Sequence, residues 1–256
     1  MLEADHLVKR FFGVTAVDDV SFRLRAGEIV GYLGPNGSGK TMTARMLTGL
    51  LSPTSGRVLF DGTDIGDDMV AFHRRLGYVP EEPHLYPFLS GREYLQLVGR
   101  LRELPATLAE KKIDAFLELF GIRDAAEQSI SAYSKGMKQK VLITAALMHD
   151  PDVVIFDEPE SGLDVAAALV LRNLVRTLAT RGKAILYSSH IMEIVEKVCS
   201  DVIILHRGRV VAHDSIDHLR DLQQRSSLEQ VFAELVLHSD PERTARDIAD
   251  VVALRA

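Results

Sequence analysis

The sequence predicts an α/β fold: a mostly parallel sheet, an antiparallel β subdomain beside it, and a helical subdomain inserted at about 85–148. Three observations carry this expectation. The apolar run Ile29-Val30-Gly31-Tyr32-Leu33 leads through a glycine-rich loop into a helix-compatible segment, roughly Thr41 to Leu50. From Pro151 onward, short apolar runs alternate with helical spacing, the pattern of parallel βαβ units. From Ser90 to about Met148, apolar residues recur at helical intervals instead.

Composition bounds the function. The 256 residues make one large domain or two small ones, with ample chain to bury a core. A net charge of -6, from 30 basic and 36 acidic residues, gives no sequence-wide electrostatic case for binding nucleic acid. The single Cys199 excludes an internal disulfide and a cysteine-based zinc site, and fits a reducing compartment. No apolar run reaches the roughly 18 residues of a membrane span. The start, Met1-Leu2-Glu3-Ala4-Asp5, is acidic and lacks an apolar signal core. A soluble, cytoplasmic protein is expected.

In chain order, residues 2–8 and 20–25 read as short strands; in the second, Val20, Phe22 and Leu24 alternate with Ser21, Arg23 and Arg25. The turn Arg25-Ala26-Gly27-Glu28 leads into the apolar run at Ile29. Gly56 to Phe60 reads as a strand closed by Asp61-Gly62. Helices are expected around Tyr94-Leu95-Leu97-Val98-Leu101 and around Ile113-Phe116-Leu117-Leu119-Phe120, the latter stopped at Gly121. Pro151 to Glu158 is a buried strand ending in two carboxylates, and a helix follows from about Val165 to Ala179. Ala184 to His190 is a second buried strand with a polar tip. Another helix, the strand Val202 to Leu205 and a turn at Gly208 into Val210-Val211 come next. The last forty-odd residues read as amphipathic helices, including Leu228-Val231-Phe232-Leu235.

The chemistry begins at Gly34-Pro35-Asn36-Gly37-Ser38-Gly39-Lys40-Thr41, which fits the phosphate-binding P-loop pattern G-x-x-x-x-G-K-[ST]. Glycines let successive backbone N–H groups turn toward phosphate oxygens, and the helix start adds unpaired donors and the positive end of its dipole. Lys40 reaches the outer phosphates, and the Thr41 hydroxyl suits Mg²⁺. In open α/β sheets, ligands bind at the carboxyl ends of strands. Two further strands end there in Asp157-Glu158 and in His190. An Asp after an apolar strand fits a metal-holding role, and Glu158 beside it fits a general base for an attacking water. Alone, strand-end acids or a strand-end histidine are usually structural; beside a P-loop they gain meaning. Phe11 and Phe12 precede Gly13, where aromatics are more often core filler than a stacking platform. Without further context Ser134 is simply a good helix cap.

These residues, in this order, resemble the nucleotide-binding domain of an ABC transporter over nearly the whole chain. The decisive stretch is Tyr133-Ser134-Lys135-Gly136-Met137-Lys138-Gln139, which resembles the ABC signature, usually Leu-Ser-Gly-Gly-Gln. Ser161-Gly162-Leu163-Asp164 resembles the D-loop, His190 the switch histidine, and Leu76-Gly77-Tyr78-Val79-Pro80 the approach to the Q-loop. Two departures stand out. Glu81 occupies the glutamine position, where a carboxylate still suits Mg²⁺ but adds charge near Asp157 and Glu158. Lys135 and Met137 replace a glycine and the glutamine of the signature, while Ser134 and Gly136 remain. This wording resembles a bacterial subclass linked mainly to export.

The resemblance implies a P-loop NTPase core, an ABC ATPase domain over 1–238 and a C-terminal helical extension over 239–256. It implies ATP and Mg²⁺ as cofactors, ATP held by Phe11, Gly34, Asn36, Gly37, Ser38, Gly39, Lys40 and Thr41, with Ser134 and Gly136 added from a second copy in a head-to-tail dimer. Thr41, Glu81 and Asp157 would hold the metal; Glu158, His190 and Lys40 would act in hydrolysis. The partner would be a multi-span membrane permease subunit, with the chain peripheral on the cytoplasmic face of the membrane and no nucleic acid bound. Tyr86, Phe88 and Arg92 fall where the family docks that partner, or serve helical-subdomain packing and surface. Competing readings are a soluble ABC ATPase of nucleic-acid repair or translation, which usually carries two such domains or a long coiled-coil insertion, and a nucleotide-binding regulator with little turnover.

Overall fold

A computed structural model of the chain describes residues 1–222 and 227–236, together with Arg246 and Val252. The expected extension over 239–256 therefore lies outside the described residues except at those two positions.

The chain opens with a long hairpin, β1 (Leu2–Phe11) and β2 (Val14–Leu24), turned at Phe12-Gly13. Both backbones in the turn have positive φ, 43° and 87°, as a two-residue hairpin turn requires. β3 (Ile29–Leu33) enters the glycine-rich loop and α1 (Lys40–Leu47) leaves it. β4 (Ser55–Phe60) and the short β5 (Thr63–Asp64) return to the hairpin, giving an antiparallel sheet ordered β2-β1-β4-β5. α2 (Met69–Arg75), capped by the Asp68 side chain on Ala71 N–H, leads into β6 (Leu76–Val79).

Three helices follow: α3 (Gly91–Leu101), α4 (Ala106–Leu119) and α5 (Lys135–Leu147). Ser90 and Glu93 close α3 with a reciprocal capping box, and Gly121, at φ 63°, follows the end of α4. These helices carry their own core around Leu95, Ile113, Leu117, Tyr133 and Val141. β7 (Val153–Asp157), α6 (Val165–Thr180), β8 (Ala184–Ser188), α7 (Met192–Val198), β9 (Asp201–His206) and β10 (Arg209–Ser215) complete the second sheet. Its order is β10-β9-β3-β8-β7-β6, with every pair parallel except β9 and β10. α8 (Ile216–Leu222) and α9 (Leu228–Val236) end the described chain, α9 burying Leu228, Val231 and Phe232.

Every residue of β3, β7 and β8 is buried, which is why these strands read as unbroken apolar runs. Side-chain alternation splits them between two cores. Val154, Phe156, Ile185 and Tyr187 face the helices α6, α7 and α9; Val153, Ile155 and Leu186 face α1 and the antiparallel sheet. Two expectations need correcting. The first two strands run to Phe11 and from Val14, beyond the expected 2–8 and 20–25, as bulges between Ala4 and Arg10 break the alternation. Residues 69–75 and 76–79 form a helix and a strand that the sequence reading does not assign. Of the two readings of Arg92, packing is the one with contacts: it pairs with Glu110, Asp114 and Glu127 within the helical subdomain. Phe88 and Tyr86 remain exposed.

Candidate active site

The glycine-rich loop bends between the carboxyl end of β3 and α1. Gly39 is the residue before α1, with φ 106°, and a Cβ there would lie 2.6 Å from the Ala16 carbonyl of β2. Neither that backbone nor that approach tolerates a side chain. Lys40 Nζ donates to the Gly34 carbonyl at 2.6 Å, so the lysine folds back over its own loop. Burial lowers its pKa, and the charges of Glu158, Asp157 and Glu81 oppose that shift. Gly34 thus lies beneath the loop as the acceptor for Lys40.

A cavity of about 670 Å³ opens at this end of the parallel sheet. Asn36, Gly37, Ser38, Gly39, Lys40 and Thr41 line it from the loop; Glu81, Asp157, Glu158 and His190 line it from the ends of β6, β7 and β8. Strands that are neighbours in the sheet place these distant sequence positions together. Parallel pairing sets Asp157 opposite Ser188. Ala16 also lines the cavity, a residue that nothing in the sequence marks.

Asp157 is 1% exposed and its Oδ2 has no hydrogen-bond partner. Burial raises its pKa, the Glu81 charge adds to the rise, and Lys40 opposes it. A buried carboxylate oxygen without a protein partner is what a cation ligand looks like. Among the described residues no cluster of three or more His, Cys, Asp or Glu could cage a metal unaided. A site offering carboxylates beside a phosphate loop fits Mg²⁺ arriving with a nucleotide, since that ion takes few protein ligands plus phosphate oxygens and waters.

Glu158 has a left-handed backbone, φ 49°, directly after the strand. Burial raises its carboxyl pKa, and His190 opposes the rise through charge and a hydrogen bond. His190 Nδ1 stands 2.8 Å from Glu158 Oε2, with the histidine side chain exposed and the glutamate 14% exposed.

Four sequence-predicted residues do not line this cavity: Gly34 beneath the loop, Ser134, Gly136 and Phe11. Ser134 is the exposed N-cap of α5, its Oγ accepting from Met137 N–H at 3.2 Å. Gly136 lies against the Ser161–Asp164 loop of the same chain: a Cβ on it would sit 2.6 Å from the Gly162 carbonyl. The stem of Lys135 lies across Gly162. Phe11 is half-exposed at the end of β1, with Lys9 Nζ 5.1 Å from its ring centroid, and Phe12 is fully exposed at the hairpin turn.

A glycine-rich loop, a helix start, a buried Asp and an adjacent Glu–His pair at the carboxyl ends of a parallel sheet define a P-loop nucleoside triphosphatase. The comparisons with known proteins narrow that class. The family described as ABC transporter matches residues 17–161. The chain is 39% identical over 220 residues to the ABC transporter ATP-binding protein NatA of Bacillus subtilis (strain 168), covering 86% of this chain and 89% of that protein. It is 36% identical over 222 residues to the Nod factor export ATP-binding protein I of Ralstonia nicotianae (strain ATCC BAA-1114 / GMI1000), covering 85% and 69% respectively. A solved structure of an ATP-binding subunit of an ABC transporter superimposes with a TM-score of 0.86 at 33% identity, covering 92% of this chain and 99% of that one. The chain belongs to the ABC transporter family as an ATP-binding protein, and the family's ATP-binding proteins are ATPases. Among the described residues no helix is long and apolar enough to cross a membrane.

Proposed function

We propose that this chain is the ATP-hydrolysing subunit of an ABC transporter, driving a separate multi-span membrane subunit by closure of a head-to-tail dimer on ATP. The observation that carries this reading is a division of the site. The P-loop, the acids and His190 share one cavity, while Ser134 and Gly136 lie outside it. The P-loop half of one copy would meet the signature half of the other. Lys40 and the loop N–H groups bind the β- and γ-phosphates, with the hairpin tip at Phe11 and Phe12 offering aromatic faces to adenine. Thr41, Asp157 and Glu81 would hold Mg²⁺, which when bound neutralises charge on the phosphates. Glu158 takes the proton of the attacking water, and its raised pKa suits a base. His190, hydrogen-bonded to Glu158, holds that carboxylate and faces the γ-phosphate.

The subunit would sit on the cytoplasmic face of the membrane. Relatives named for Nod factor export and linearmycin resistance support an export-type subclass. Co-purification of a multi-helix membrane protein tests the partner; an isolated, partnerless chain from native membranes would count against it. The Glu158→Gln variant tests the mechanism. Glutamine is nearly isosteric but accepts no proton, so ATP affinity is expected to persist while hydrolysis slows about 10²–10⁴-fold. The variant should run as a dimer in size-exclusion chromatography only with ATP. Undiminished turnover would move the base elsewhere.

A further inference from the structure

Glu158 sits on a backbone that strays from the strand it follows, and something must hold it there. Its own N–H donates to the Ser188 carbonyl at 3.2 Å. The next two residues are anchored from both sides. On one side, buried Gln139 of α5 donates through Nε2 to the Pro159 carbonyl at 2.9 Å. On the other, the Glu160 carboxylate turns inward and meets two elements at once. Arg172 of α6 grips it with a two-pronged fork, Nε to Oε1 at 2.8 Å and Nη2 to Oε2 at 2.6 Å. Tyr187 of β8, fully buried, donates its hydroxyl to Oε1 at 2.7 Å. The Glu160 and Arg172 side chains are 15% and 23% exposed. Charge-assisted, bidentate bonds in such a setting are short, strong and directional. A second cavity, of about 380 Å³, has Glu160, Arg172 and Tyr187 on its wall together with Glu158 and His190.

We propose that Glu160, clamped by Arg172 and Tyr187, is a positioning residue for Glu158: it fixes the Pro159-Glu160 turn and thereby aims the base carboxylate. The proposal rests on the reading of Glu158 as base. Three side chains from a loop, a helix and a strand converge two residues beyond a strained glutamate. The carboxylate accepts three hydrogen bonds and its charge is matched by the guanidinium, so it adds no net negative charge beside Asp157, Glu158 and Glu81. Burying a charged pair is a costly way to gain stability, which a plain apolar contact supplies more cheaply. Its distinctive property is direction, and direction is what a general base needs, since a displacement of about 1 Å costs catalysis on the order of 10²-fold.

The test uses the full-length chain, with single-turnover ATP hydrolysis and equilibrium ATP binding measured separately. Tyr187→Phe removes one bond and keeps the ring; hydrolysis is expected to fall about tenfold, the loss of one hydrogen bond to a charged group. The double variant Glu160→Ala with Arg172→Ala removes both charges together and should fall about 10²-fold. ATP affinity should stay within about twofold in both, because neither variant touches the phosphate loop. A general loss of folding would also slow the reaction, so each substitution is repeated in a Glu158→Gln background. With no base left to aim, the residual rate should change by less than about twofold. An unchanged rate in the Tyr187→Phe variant overturns the proposal. So does an equal loss in both backgrounds, which would mean the clamp acts independently of Glu158. If Glu158→Gln itself hydrolyses ATP normally, the underlying reading of the base fails instead. Should the double variant not fold, Tyr187→Phe in the two backgrounds decides alone.

Discussion

Two helix starts in this molecule carry the same ingredients in opposite settings. At α1 they are Gly39, Lys40 and Thr41; at α5 they are Ser134, Lys135 and Gly136. At α1 the lysine is half-buried and drawn onto its own loop, within a cavity that also holds Glu81, Asp157 and Glu158. At α5 the lysine is exposed, its stem resting on Gly162, and that cavity lies elsewhere. Both starts can bind an anion through free N–H groups. Only the first shares its cavity with Glu81, Asp157 and Glu158. On the proposed reading, the start of α5 is half of a site and a second copy supplies the other half. The contrast makes different demands on the two lysine-bearing starts, and three experiments measure them.

The largest effect is expected at α1. Lys40→Ala removes the main cation facing the phosphates, and ATP affinity or turnover should fall on the order of 10²-fold or more. Equilibrium binding and hydrolysis at saturating Mg-ATP measure it; normal hydrolysis would break the assignment of this loop.

At α5 the loss should be conditional. Ser134→Arg should leave the ATP affinity of a single copy nearly intact while blocking ATP-driven dimer formation and hydrolysis. Mixed with Lys40→Ala chains, it should regain part of the activity, because one of the two sites in a mixed dimer is then free of both substitutions. Chromatography with ATP and activity on mixing provide the readouts. Hydrolysis at the unmodified rate, independent of protein concentration, would show a site complete within one chain.

The smallest effect belongs to Glu81, which adds charge to the α1 setting. Glu81→Gln should retain substantial ATPase activity, since both side chains offer an oxygen at similar reach. Glu81→Ala should lose about 10–100-fold, as for removal of a group that supports a bound metal. Equal, severe losses in both would reveal a role specific to the charge.

Much of the core is legible in the amino-acid sequence because burial on both faces leaves a plain signature. Ile29 to Leu33, Val153 to Phe156 and Ala184 to Tyr187 are apolar without interruption. β6 is only four residues long and includes Gly77 and Tyr78; its burial comes from β7 alongside and from α5 packed over it, distant partners that no local pattern announces. The phosphate loop and the strand-end acids are legible because their spacing is local. The Glu160 clamp is not, since Arg172 and Tyr187 read as an ordinary helix residue and an ordinary core aromatic until β8 and α6 bring them together. Ala16 escapes for the same reason: its part is a backbone carbonyl beside Gly39.

The left-handed backbone at Glu158 has a consequence for anyone breeding sturdier versions of this protein. Such a conformation costs a residue with a side chain about 1–2 kcal/mol, and glycine escapes it, though glycine's looser unfolded chain offsets part of the gain. With Glu158 as the proposed base, heat tolerance and turnover pull this position in opposite directions. A library screened on thermal tolerance alone would collect glycine at 158 among its survivors, sturdy and inert. A screen that keeps both properties has to look for its gains elsewhere, on surfaces far from the end of β7.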